Sequence, residues 1–250
     1  MCDKEMCDKE MCDKMCEKKE EADEDIYIAS FDIGKVNFAY CIEKCFLKDI
    51  KKRTETTIDE MCSKGKIEII DNVRLVSFPK NIVTRRRGPR KGTTYKPSGK
   101  YTFESLLLFL EERKTFWNKC HIFVIEQQMS QNKEGLKISY HLEAYFKTCY
   151  GTFKEVVLFP SYHKTQVFEA EKWINLDPLT RKTDKYGKPF YTKMSYNNRK
   201  KSCISKALEI LEQRHDTDTI WKLERSQKKD DMCDVICQLQ AYKWLYLFEK

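Results

Sequence analysis

Regular alternation of apolar and polar residues begins at Ile26. The stretch IYIASFDIG is apolar and β-rich and closes on Gly34, and in VNFAYCIEKC the side chains of Val36, Phe38, Tyr40 and Ile42 alternate. Together they predict two antiparallel strands joined by a tight turn. Residues 46–65 are polar and charged, which suits an elongated hairpin tip or an insertion, and KIEIIDNVRLVSF then offers a third strand ending at Pro79. FESLLLFLEERKTFW places Phe103, Leu106, Leu107, Leu110 and Phe116 or Trp117 at helical spacing, a helix packed on a sheet. HIFVIEQQ is a short apolar run ending in a glutamate. KISYHLEAYFKTCY reads as a helix over 136–150, and EVVLFP reads as a buried strand stopped by Pro160. Residues 161–196 carry the least pattern. Two helical patterns close the chain, NNRKKSCISKALEILEQR and DMCDVICQLQAYKWLYLFEK, with a polar connection between them.

Strands and helices in that order predict an α/β protein with a mixed five-stranded sheet flanked by helices, the later strands parallel to the first. The stripe of Ile138, Leu142, Tyr145 and Phe146 is a candidate dimer interface, although core is the commoner use of such a face. Residues 1–25 repeat MCDKE-like units with almost no apolar residue but Met; they cannot offset the entropy of ordering and are expected to be disordered. Residues 26–250 form the expected folded domain, with additions at about 46–65 and 79–102. No run of about 18 apolar residues occurs and the first residues lack a signal pattern, so neither a membrane span nor secretion is expected. The expected compartment is cytoplasmic, with the nucleus as the alternative. The twelve cysteines are scattered, and Cys41 with Cys45 and Cys233 with Cys237 lack the spacing of a zinc knuckle; reduced thiols are expected.

Charge changes the picture. The formal net charge is +8, but residues 1–25 carry five Lys and eleven acids, so the remainder has 42 Lys and Arg against 28 Asp and Glu. Such a surplus suits a polyanionic partner, or simply a solvated surface. Much of it lies in RRRGPRKGTTYKPSGKY, an expected exposed loop. There Arg85, Arg86, Arg87, Arg90 and Lys91 could grip phosphates, with Tyr95 and Tyr101 stacking on unpaired bases.

Acidic residues stand where apolar strands end. Asp32 lies near the carboxyl end of the first strand beside Gly34, and Glu126 terminates FVIE; parallel neighbours would bring the two side by side at one sheet edge, where active sites commonly form. Taken singly, each also suits a turn or a solvated strand end. Asp231 and Asp234 are three apart at the start of the last helix and therefore share a face, while Asp230 reads as a cap. Clustered carboxylates repel unless a cation sits among them, and hard oxygen ligands suit Mg²⁺ or Mn²⁺. Two such ions can drive hydrolysis of a phosphodiester. Lys200 and Lys201, in YNNRKKS with Arg199, could meet the scissile phosphate or form an ordinary basic DNA-facing surface.

FDIG, FVIEQQ, YNNRKKS and KDDMCD, in that order, resemble the RuvC-type Holliday junction resolvases of poxviruses and related large DNA viruses. The resemblance covers about residues 26–45 and 120–250. It implies an RNase H-like fold, a homodimer, and paired symmetric nicks across a four-way DNA junction with divalent metal, two ions per site. By motif position Asp32 and Glu126 resemble the strand ligands and Asp231 and Asp234 the helix pair. The family's basic catalytic residue falls on Lys200 or Lys201. The basic loop and the repeat are extra to the compact viral pattern, which leaves flaps, forks or RNA as alternative substrates. A noncatalytic DNA-binding protein is the reading from another class.

Overall fold

In the computed structural model, the described residues are 25–50, 52–77, 100–164, 167–168, 182–183, 189–190 and 196–247. The repeat of residues 1–24 and the arginine-rich loop holding Arg85, Arg86, Arg87, Arg90 and Lys91 lie outside them.

Four residues of the first strand, Ile28, Ala29, Ser30 and Phe31, are apolar or small and fully buried, and this run becomes the centre of the sheet. Strand β1 (Ile26–Asp32) pairs antiparallel with β2 (Phe38–Cys45), which pairs antiparallel with β3 (Lys66–Val73). On its other side β1 runs parallel to β6 (Ile122–Gln127), and β6 runs parallel to β7 (Glu155–Pro160). The five-stranded sheet therefore has the order β3-β2-β1-β6-β7. Strand pairs β4 (Val76–Ser77) with β5 (Lys100–Tyr101), and β8 (Lys182–Thr183) with β9 (Pro189–Phe190), stand apart from it. This is the mixed five-stranded α/β sheet that the strand pattern anticipates.

Helices cover both faces. In chain order they are α1 (Ile58–Cys62), α2 (Phe103–Glu112), α3 (Lys114–Lys119), α4 (Lys133–Tyr150), α5 (Tyr196–Gln213), α6 (Thr217–Arg225) and α7 (Lys229–Tyr242). Strand alternation sorts the core in two. Ala29, Phe31, Tyr40, Phe123 and Ile125 meet Leu106, Leu110, Trp117, Leu142 and Phe146 of α2, α3 and α4. Ile28, Cys41, Ile70 and Val124 meet Ala207, Leu211, Leu223, Val235, Ile236 and Leu239 of α5, α6 and α7. The stripe of Ile138, Leu142, Tyr145 and Phe146 is thus core, not an exposed face.

Three local expectations are corrected. The single helix from Phe103 breaks at Arg113, whose Nε donates to the Tyr40 hydroxyl at 3.0 Å. The break turns Trp117 inward, where its indole N–H donates to the Leu110 carbonyl at 2.9 Å, and it leaves Phe103 and Phe116 largely exposed. The polar connection near the end contains α6, capped by Asp216 on the Thr219 amide. Its inward residues Thr219, Ile220 and Leu223 are too few to announce a helix. Finally, KIEIIDNVRLVSF does not form one strand, since β3 stops at Val73 and Val76 begins another. All eight described cysteines are free thiols, as the reduced reading expects.

Candidate metal centre at the strand edge

Register fixes the first two acids. Phe31 is paired with Ile125, so the next residues, Asp32 and Glu126, leave the sheet as neighbours. By alternation they share the face of Ile28 and Val124, the face that α7 covers. Helix α7 is pinned there by Gln238, whose buried side-chain amide donates to Ser30 Oγ at 3.1 Å, the Phe31 carbonyl at 3.1 Å and the Val124 carbonyl at 3.2 Å. One helical turn earlier, Asp234 reaches the strand acids.

A lysine stands among them. Lys164, in the helical residues 162–164 just after β7, places Nζ 3.2 Å from Glu126 Oε1 and 3.9 Å from Asp234 Oδ2, with its side chain only 10% exposed. Burial alone would favour loss of its proton, but Glu126, Asp234 and Asp32 outweigh burial and raise its pKa. Asp32 is driven the other way from an ordinary carboxylate: burial, then the charge of Glu126, lifts its pKa well above the usual range, and it hydrogen-bonds Glu126. Glu126 stays ionised, its pKa lowered against burial by Lys164 and by the hydrogen bond from Asp32. Its other oxygen accepts from Gln128 Nε2 at 2.8 Å, and Gln128 in turn accepts from Asn132, the N-cap of α4.

The second group lies on the first turn of α7. Lys200 of α5 is ion-paired with Asp230 and stands 4.0 Å from Asp231 Oδ1. Asp230 is therefore not the cap expected from the sequence. Lys228 holds the N-cap position without a side-chain bond, and Asp230 is the second residue of the helix, paired with Lys200 and with a lowered pKa that burial opposes. Asp231 has a raised pKa, from burial and then from Asp230. Its Oδ2 is buried and has no hydrogen-bond partner among the described residues. Lys201 and Arg199 are exposed on α5.

The structure thus gathers Asp32, Glu126 and Asp234 around Lys164, and Asp231 with Asp230 around Lys200. Among the described residues, no three His, Cys, Asp or Glu side chains stand close enough to hold one metal ion. Their chemistry nevertheless fits a hard divalent cation: the donors are all carboxylate oxygens, burial and the charge of Glu126 raise the pKa of Asp32, and Asp231 Oδ2 is a buried acceptor with no hydrogen-bond partner among the described residues. Lys164 is the residue the sequence did not reveal, because it follows a strand in the least patterned stretch. A cavity of about 610 Å³ lies elsewhere, between the edge of β3 and α6, lined by residues such as Lys66, Ile70, His215 and Lys222. A polymer crossing a sheet edge requires no such enclosure.

A mixed sheet of this order, with carboxylates at the ends of adjoining parallel strands and on the helix across them, defines an α/β protein with an acidic strand-edge site. The chain belongs to the family of Uncharacterized protein 170L of Invertebrate iridescent virus 6, to which it is 98% identical over 250 residues, the whole of both chains. It is also 28% identical over 227 residues to Uncharacterized protein 97L of Invertebrate iridescent virus 3, covering 86% of this chain and 98% of that protein. No protein-family model matches the chain. Solved structures similar to it include a Fowlpox virus resolvase in complex with its substrate Holliday junction DNA, at 17% identity and TM-score 0.47, covering 88% of this chain and 99% of that one. The yeast mitochondrial Holliday junction resolvase Ydc2 is similar at 14% identity and TM-score 0.39, covering 89% of this chain and 81% of that one. No helix among the described residues is long and apolar enough to cross a membrane.

Proposed function

We propose that the chain is a divalent-metal-dependent endonuclease that cuts branched DNA, four-way junctions foremost, in viral genome processing or recombination. The observation that carries the reading is the convergence of Asp32, Glu126 and Asp234 on one buried ammonium at the strand edge, with Asp231 one turn away. A module that only binds a polyanion gains nothing from carboxylates turned toward it, whereas a phosphodiesterase requires them. Asp32, Glu126, Asp231 and Asp234 would hold Mg²⁺, or Mn²⁺ in its place, two ions per site, and the ions would supply water activation and charge neutralisation at the scissile phosphate.

The chain's own groups do the rest. Gln128 orients the Glu126 carboxylate. Lys164 and Lys200 bring positive charge to the two ends of the cluster, where charge on the phosphoryl oxygens grows during attack. Arg199 and Lys201, exposed beside Lys200, contact the backbone of the DNA and supply register without sequence information. A homodimer is part of the reading, because a twofold protein presents two equivalent sites to the equivalent strands of a junction.

The test is a labelled four-way junction incubated with wild type and with Asp231→Asn, with Mg²⁺ or with chelator, beside matched flaps and forks. Paired symmetric nicks only with Mg²⁺ and wild type, and junction binding kept by the variant, support the reading. Equal cutting of flaps or forks moves the substrate, and cutting by the variant or in chelator removes the metal mechanism.

A further inference from the structure

We propose that Lys164 holds the place of a divalent cation, closing the carboxylate cluster while no metal is bound and leaving it when one arrives. The inference rests on the metal-dependent reading above and concerns what the chain does before metal enters.

Glu126 has two oxygens, and each has a partner. Oε2 accepts from Gln128 at 2.8 Å, which ties it back to the N-terminus of α4 through Asn132. Oε1, the oxygen left for the cluster, is the one on which Lys164 Nζ sits, at 3.2 Å, and the same ammonium lies 3.9 Å from Asp234 Oδ2. A magnesium ion would have to approach such oxygens to about 2.1 Å. It cannot do so with an ammonium still in their contact shell, because the two cations repel and compete for the same lone pairs. The lysine has to leave.

It is built to leave. Lys164 lies outside the sheet, in the first helical residues that follow β7, 162–164. Its neighbour Tyr162 is 55% exposed, so this stretch borders solvent. Four methylenes let the ammonium swing while the backbone stays. The natural destination is an oxygen of the DNA phosphate that metal binding draws into the site, since a lysine binds phosphate as a point charge. The same side chain would then neutralise the carboxylates in the resting protein and the phosphate in the working one.

Protection of the amine reports this directly, using the unaltered full chain without DNA. The protein is treated with limiting acetic anhydride in chelator and at saturating Mg²⁺, and acetylation of each lysine is mapped by peptide mass spectrometry. Calorimetry on the same samples establishes that Mg²⁺ is bound. Lys164 is expected to label poorly in chelator and several-fold faster with metal. Lys154, whose ammonium caps the Trp117 and Asn118 carbonyls at the opposite end of β6 and β7 from the cluster, is expected to label equally in both. Bound Mg²⁺ with unchanged labelling of Lys164 overturns the placeholder and makes the lysine a fixed ion pair, leaving the nuclease reading intact. Absence of any heat of Mg²⁺ binding overturns both.

Discussion

Asp32 and Glu43 show the same residue class held in opposite states by their neighbours. Asp32 has acids and a shared lysine around it, and its pKa is raised well above the usual carboxylate range by burial and by Glu126. A group with a raised folded pKa binds its proton more tightly in the folded state, so an acid of this kind lends stability only while protonated. In chelator, the folded protein should therefore lose stability as pH rises above the unfolded value of about 3.9 toward neutrality. Asp32→Asn should remove that loss. Urea unfolding from pH 4 to 8 checks it, and parallel curves for variant and wild type would count against a protonated Asp32. Glu43 of β2 is more deeply buried, yet Arg214 and Lys243 outweigh burial and hold its pKa at about 2. Arg214 Nη1 lies 3.0 Å and Lys243 Nζ 2.6 Å from its carboxylate, and Gln240 adds a further hydrogen bond. Here the sign reverses: the stabilisation is present above the unfolded pKa and fades as pH falls from about 4 toward 2. Glu43→Gln would strand two buried cations, and a loss of about 3 to 5 kcal/mol is expected in urea or thermal unfolding. A loss under about 1 kcal/mol, the worth of an exposed pair, would show that the cluster is wetter than its burial implies.

Two elements position the site, and their ends matter more than their middles. Helix α4 begins at Asn132, whose side chain accepts from the Gly135 amide at 3.1 Å and donates to Gln128, which donates to Glu126. Its cap is therefore also the last link of a chain that orients a proposed metal ligand. Asn132→Ala should cost about 1 kcal/mol of stability, the ordinary worth of a cap. If the link works as described, junction cleavage should fall by more than stability explains. Asp216→Ala, at the cap of α6, is the control, since it should cost similar stability and leave cleavage unchanged. Equal effects of the two variants on cleavage would reduce Asn132 to a plain cap. The strands at these ends were legible in the sequence: alternation placed β1 and β2, and the apolar runs FVIE and EVVLFP placed β6 and β7 with Asp32 and Glu126 at the right edge. Periodicity could not place Lys164, because its helical residues open the least patterned stretch of the chain, nor the break at Arg113, which depends on a hydrogen bond to Tyr40 on a distant strand. Asp230 was misread for a similar reason: its partner Lys200 is thirty residues away in the chain.

Charge acts over the whole body of the protein. Beyond the first 25 residues, 42 Lys and Arg face 28 acids. Inside the described fold many of these cations are already engaged: Lys164 and Lys200 with the site acids, Arg214 and Lys243 with Glu43, and Lys206 with Asp59 and Glu209. The cations best placed in sequence to hold DNA at a distance from the chemistry are then Arg85, Arg86, Arg87, Arg90 and Lys91, five within seven residues. Binding through phosphates releases counterions, and each contact adds about 0.9 to the slope of log affinity against log salt. Replacing all five with Gln should therefore flatten that slope by as much as about 4.5 on a four-way junction, with affinity lost evenly across sequences. Because the variant keeps every site carboxylate, its cutting at low salt and saturating protein should stay close to wild type. Fluorescence anisotropy between 50 and 200 mM salt measures the slope, the range in which such losses are large. An unchanged slope would assign the DNA grip to the α5 surface around Arg199 and Lys201 and leave the arginine run without a part in it.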